Sequence, residues 1–322
     1  MRTRTLGQSG IEASTVAFGA WAIGGWMWGG AEEQESIRAV EAALDCGMTF
    51  IDTAPAYGLG LSEEIVGRAV RGRREKAVIA TKCGMVWHTT RGTFFLEQDG
   101  KPVHRYLGRE SVIYECEHSL KRLGTDYIDL YQTHWQDLTT PIEETMSALL
   151  QLKQEGKIRA IGVSNATPAQ VREYLSFGPV DTDQERYSLI DRKQEPEMIP
   201  LCIANNIAFL AYSPLANGLL TGRIGPERTF KEGDLRKGSK RFGQDNLARV
   251  TAAFELLKPI YERHTITPGQ LVIAATLAQP GVTHALVGAR SRAQVEENVK
   301  AAEVRLTEQE VAEVVGAFEG IR

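Results

Sequence analysis

The chain has 322 residues, a length that suits one large α/β domain or two ordinary ones. Hydrophobic residues make up 43% and charged residues 24%, the balance of a globular protein with a large core; the net charge of -4 excludes the positive field that draws in nucleic acid or anionic lipid. No apolar run follows the basic N-terminus, none elsewhere is long enough to cross a bilayer, and Cys46, Cys83, Cys116 and Cys202 form no C-x-x-C pair, so the expectation is reduced thiols in a cytoplasmic enzyme.

Gly7 and Gly10 mark a hairpin within the first residues. Eight short apolar, β-branched-rich runs follow, at 15–19, 49–52, 78–82, 127–134, 158–164, 181–184, 208–212 and 285–288. Helical patterns separate them. Segment 36–46 sets Ile37, Val40 and Leu44 on one face and stops at Gly47. Ser62 reads as the cap of a helix whose first turn holds Glu63 and Glu64, both suited to the positive end of the dipole. Thr140-Pro141-Ile142-Glu143, Thr167-Pro168-Ala169-Gln170 and Thr267-Pro268-Gly269-Gln270 each read as a capping box with proline at the first helical position. Thr307 opens the last helix in similar fashion. Cys116-Glu117-His118 are adjacent helix positions that point apart, so they do not read as a metal site.

Strand and helix in alternation, joined briefly, mean parallel strands with crossover helices. Eight such units predict an α/β fold of the (β/α)8 TIM-barrel type, with an N-terminal hairpin and two extra helices, as one domain over 1–322. Segments 84–106, 218–244 and the helix from Thr307 are additions to it. The rival doubly wound sheet rests on Gly58-Leu59-Gly60, which lacks the third glycine of a dinucleotide fingerprint.

Active sites of such barrels lie at the C-terminal ends of the strands. Asp52 ends the second strand, Lys82 the third and His134 the fourth, with Tyr57 in the loop after Asp52. Singly, these are a loop cap, a packing aromatic, a snorkelling lysine and a core histidine. Together they form an acid–base group. A tyrosine hydroxyl titrates near about 10, a neighbouring cation lowers that value, and a buried lysine needs a carboxylate to stay charged. The expectation is therefore that Lys82 lowers the Tyr57 pKa, Asp52 holds Lys82 charged, and His134 donates to a carbonyl oxygen. No side chain is a hydride source, so redox chemistry needs a cofactor.

In chain order, FIDTAPAYGLGLSEEIVGRAV, ATK, IDLYQTHW, GVSN, AYSPLANGLLTG and VGARSRAQVEENVKA resemble the aldo-keto reductase superfamily over essentially the whole chain, within its bacterial general-reductase-like branch. The resemblance implies reduction of an aldehyde or ketone by hydride transfer from a nicotinamide, with Tyr57 as proton donor, Lys82 and Asp52 tuning it and His134 orienting the carbonyl. It implies Ser164, Asn165 and Gln184 at the carboxamide, and Tyr212 stacked on the nicotinamide. Ser213, Leu215 and Gly218 then lie under the pyrophosphate, and Gly288, Arg290, Gln294 and Asn298 around the adenosine phosphate and adenine, with Ser291 among them. Many members carry lysine where Gly288 stands and arginine where Gln294 stands. Arg290, or Arg292, can still pair with a 2′-phosphate, so the cofactor expected is NADPH, with NADH left open.

Trp21, Trp28, Trp87 and Trp135 are the expected substrate wall, joined by Trp26 and Phe94, and suit sugar- or inositol-type or aromatic carbonyls. Glu97-Gln98-Asp99-Gly100 reads as a hairpin turn able to act as a lid. A small-molecule substrate, no metal, no nucleic acid, no membrane and a monomer complete the expectations. Two rivals are a regulatory nicotinamide-binding subunit with little turnover and a metal-dependent barrel hydrolase.

Overall fold

The computed structural model describes residues 1–321. In chain order the elements are β1 (Thr3–Thr5), β2 (Glu12–Ser14), β3 (Val16–Gly19), α1 (Glu33–Asp45), β4 (Phe50–Asp52), α2 (Leu61–Ala69) and β5 (Val78–Cys83). Then come β6 (Met85–Val86), β7 (Thr93–Gln98), β8 (Lys101–Arg105), α3 (Arg109–Leu123), β9 (Ile128–Thr133), α4 (Ile142–Gln154), β10 (Ile158–Ser164) and α5 (Pro168–Phe177). The last are β11 (Thr182–Arg186), α6 (Met198–Ala204), β12 (Ala208–Tyr212), α7 (Gln244–Arg263), α8 (Pro268–Leu277), β13 (Val282–Gly288), α9 (Arg292–Lys300) and α10 (Glu308–Ala317).

Eight parallel strands, β3, β4, β5, β9, β10, β11, β12 and β13, close into a barrel in chain order, the last pairing with the first. Each contributes alternate residues to the inside, as the pleat requires. Ala17, Phe50, Ala80, Leu130, Ala160, Leu210 and Leu286 form an apolar floor, and Leu6, Ile11 and Ala13 of the β1–β2 region close it from below. The outward set, including Phe18, Ile51, Ile79, Tyr131, Ile161 and Phe209, packs in the cluster shared with the helices. Truncating a fully buried floor residue such as Phe50 is expected to cost about 3–5 kcal/mol. Two residues further along β4, β5 and β9, the inward positions turn polar, at Asp52, Lys82 and Gln132.

Thr167, Thr267 and Thr307 form reciprocal capping boxes with Gln170, Gln270 and Glu310. Two expected caps differ. Pro141 itself stands at the start of α4, because the Thr140 hydroxyl donates instead to Asp137 at 2.7 Å; the same carboxylate also takes Thr139 and the Leu107 N–H. Ser62 lies inside α2, which starts after Gly60 in a left-handed conformation (φ 105). Its hydroxyl donates to the Ala20 carbonyl at 2.9 Å and meets the Thr53 hydroxyl at 2.8 Å, pinning the helix to the barrel rim.

Segment 84–106 folds as a three-stranded antiparallel sheet with β8 central, its hairpin turning at Asp99 and Gly100, both left-handed. Helices α7 and α10 are the two that stand outside the eightfold alternation, packed on each other through Phe254 and Phe318. No helix among the described residues is long and apolar enough to cross a membrane.

Candidate active site

The inward positions above the floor include Asp52 on β4, Lys82 on β5, Gln132 on β9, Ser164 on β10 and Gln184 on β11, all buried. Lys82 Nζ donates to both Asp52 carboxylate oxygens at 2.9 and 2.8 Å and to the Thr53 carbonyl at 2.9 Å; its contact with the Tyr57 hydroxyl is longer, 3.3 Å. Gln184 Nε2 donates to Asp52 Oδ1 at 2.7 Å, and Gln132 Nε2 reaches the same oxygen at 3.4 Å. A buried ion pair satisfied in this way holds its geometry, because moving either charge leaves the other unpaired.

Tyr57 reaches this pair from the loop after β4. Its backbone is fixed by a turn to Ala54 and by the Ser62 N–H, and Gly24 of the first loop lies against it so closely that a Cβ there would meet the Tyr57 carbonyl at 2.7 Å. His134 follows β9; its backbone N–H donates to Cys83 at 2.8 Å, and its ring stands edge-on to Tyr57 with centroids 5.6 Å apart. The Nδ1 atom is enclosed without a partner among the described residues. Burial first, and the Lys82 charge second, push the imidazole well below its usual pKa, so it is neutral and has one N–H to donate.

The structure corrects one electrostatic expectation. Burial, and then Asp52, push Tyr57 well above the ordinary phenol value, where a lowering by Lys82 was expected. Lys82 is largely spent on Asp52 and Thr53, so the phenol faces a compensated pair and feels its own desolvation most. The hydroxyl is thus protonated across the neutral range. Burial also lowers Lys82, opposed by Asp52.

Beside the four lies a ridge of polar groups at the ends of β10 to β13. Asn165 (φ 52) donates to the His134 carbonyl at 2.8 Å and accepts from the Tyr212 hydroxyl at 2.8 Å, while the Ser164 hydroxyl donates to the Gln184 carbonyl at 2.7 Å. Ser213 (φ 55), Asn217 (φ 57) and Gly218 (φ 94) turn the next loop, with Leu215 at its start and partly buried. Strained conformations of this kind gather at ligand sites. Past β13, Gln294 accepts from the Arg290 N–H at 2.7 Å, Ser291 caps α9, and Asn298 donates to the Gly288 carbonyl at 3.4 Å. The Arg290 guanidinium holds the carbonyls of Trp28 and Gly30 and forms no ion pair among the described residues. Arg292 is instead paired with Glu296 along the helix.

Trp21 lies 6.4 Å from the Tyr57 ring and edge-on to Trp28, whose indole N–H is enclosed without an acceptor among the described residues. Trp135 stacks at a tilt on Phe95, and Trp87 packs in the same apolar cluster with Ala56, Met85 and Val103. Phe94 departs from the expected wall: it is 59% exposed, because the hairpin turns it outward against His104.

Sequence reasoning missed Gln132, Thr53 and Gly24. Counting inward by twos from Leu130 finds Gln132. The Thr53 carbonyl and the Gly24 approach carry no side-chain signal at all.

The Aldo/keto reductase family model matches residues 15–319. The Bacillus subtilis (strain 168) protein named aldo-keto reductase YhdN is 42% identical over 92% of this chain and 87% of its own. The NADH-specific methylglyoxal reductase of Escherichia coli (strain K12) is 41% identical over 96% of this chain and 95% of its own. Among solved structures, a glycerol dehydrogenase from Gluconobacter oxydans superposes with a TM-score of 0.88 at 37% identity, covering 99% of this chain and 95% of the other.

Proposed function

The chain belongs to the aldo/keto reductase family, an enzyme of nicotinamide-dependent carbonyl reduction, and from that premise we propose that it reduces an aldehyde or ketone with NADPH and with Tyr57 as proton donor. The observation that carries this reading is the protonated Tyr57 hydroxyl held 3.3 Å from a lysine already neutralised by Asp52.

When bound, the nicotinamide supplies a hydride to the carbonyl carbon. Tyr57 gives its proton to the carbonyl oxygen, so that one hydride and one proton complete the alcohol. Lys82 donates to the phenol oxygen, which directs the phenol hydrogen away from Lys82 and supports the developing phenolate. Neutral His134 donates its N–H to the same carbonyl oxygen and orients it. The polar ridge fits a nicotinamide: Asn165 and Ser164 supply amide and hydroxyl groups, Gln184 steadies Asp52, and Tyr212 is half-buried with its hydroxyl tied to Asn165. Ser213, Leu215 and Gly218, on the loop after β12, are the turn that would hold the pyrophosphate.

Arg290, flanked by Gly288, Gln294 and Asn298, is the proposed reader of the 2′-phosphate. Its present acceptors are neutral carbonyls, which a phosphate would outcompete. The Escherichia coli relative is named for NADH, so the preference needs measurement. Trp21, Trp28, Trp87 and Trp135 form the wall for a sugar-, inositol-type or aromatic carbonyl. The proposed working form is a cytoplasmic monomer with free cysteines.

Fluorescence titration of the purified protein with NADPH and NADH, followed by a panel of aldehydes and ketones with and without chelator, tests the reading. Tighter NADPH binding and chelator-insensitive turnover are expected. Binding without turnover would mark a regulatory subunit, and loss of activity on chelation would mark a metal enzyme.

A further inference from the structure

Arg105, on β8, carries a charge that the site described so far does not use. Its guanidinium carbon lies 4.0 Å from the Phe95 ring centroid and 4.8 Å from that of Trp135, so two aromatic faces fix its direction. Trp135 directly follows His134, and the face of the small sheet that bears Arg105 also bears Val103, which packs with Ala56 beside Tyr57. The cation therefore lies against the ring of Trp135, the residue that follows His134.

Arg105 has no counter-ion among the described residues. Among the described residues none of its N–H groups has an acceptor, Nε is enclosed without a partner, and no carboxylate lies within ion-pair distance. Burial pulls its pKa down with no acidic neighbour to offset the pull. Four other arginines behave differently: Arg74, Arg122, Arg236 and Arg241 each hold a carboxylate. A fixed, partly desolvated guanidinium without a counter-ion suits an acceptor that arrives with the ligand.

We propose that Arg105 determines substrate specificity by holding an anionic oxygen group, a carboxylate or a phosphate, on the carbonyl substrate. This rests on the carbonyl-reductase reading above. The aromatic wall takes the body of the substrate, His134 and Tyr57 take the carbonyl oxygen, and Arg105 takes the far, charged end.

The test compares kcat/KM, at saturating NADPH, for two matched pairs: succinic semialdehyde against its methyl ester, and glyceraldehyde phosphate against glyceraldehyde. In the wild type the charged member of one pair is preferred, and which pair shows it separates carboxylate from phosphate. In Arg105→Gln the charged-to-neutral ratio falls by about 50-fold, mainly through KM, and Arg105→Lys recovers part of it. Arg105→Met, which keeps an apolar stem between the rings, repeats the comparison should the Gln variant lose its cofactor fluorescence. A ratio unmoved in both the Gln and Met variants makes Arg105 a packing piece and overturns the inference while leaving carbonyl reduction intact. A wild type that reduces none of the four compounds, while still reducing other aldehydes or ketones, overturns the inference and leaves carbonyl reduction standing.

Discussion

The interior of the barrel mouth and its rim are built to opposite rules. Inside, Asp52, Lys82, Gln132 and Gln184 come from four strands, are buried, and bond one another. At the rim, among the described residues, Trp28 Nε1 and Arg105 Nε are enclosed without partners, and the Arg290 guanidinium is held by neutral carbonyls. A satisfied polar network in low dielectric is stiff, whereas unanswered donors are what a ligand can still bind. On the proposed reading, the interior sets the reaction and the rim sets what undergoes it.

The comparison breaks most visibly if the interior is opened. Lys82→Met leaves Asp52 buried without its cation, so turnover should be lost and stability should fall by about 3–5 kcal/mol in denaturant unfolding. A small stability change would mean that water already reaches the pair. Gly24→Ala tests how tightly the first loop sets Tyr57: a Cβ would press on the Tyr57 backbone, so kcat should drop by roughly 100-fold with cofactor affinity nearly kept. Equal losses in both would point to a collapsed loop. Arg290→Ala touches only the rim. It should weaken NADPH by about 10-fold and NADH hardly at all in fluorescence titration, and equal weakening would remove its phosphate-reading role.

The barrel was legible because its signals repeat. Short apolar, β-branched-rich runs and threonine caps recur around the chain, and the two caps that misled, Ser62 and Thr140, were drawn off by partners distant in sequence or in the preceding loop. Three of the four candidate site residues, Asp52, Lys82 and His134, were legible as strand ends, and Tyr57 as a residue of the loop after Asp52. Their electrostatics were not. That Lys82 is consumed by Asp52 and Thr53, leaving Tyr57 raised, depends on distances between strands that no local pattern contains. Arg105 was invisible for a related reason: a cation becomes notable only when the absence of its partner can be seen.

The pH dependence of kcat/KM for carbonyl reduction, in the wild type and in Tyr57→Phe, tests the central claim most directly. An acid donor acts below its pKa and is lost as pH rises through it. With Tyr57 raised well above its ordinary value, the wild type should keep a level rate through the neutral range and decline only in strong alkali. Tyr57→Phe should lose roughly 1,000-fold throughout and show no alkaline decline while binding the nicotinamide as before. A Tyr57→Phe enzyme that turns over at the wild-type rate, with the same profile, would contradict the account.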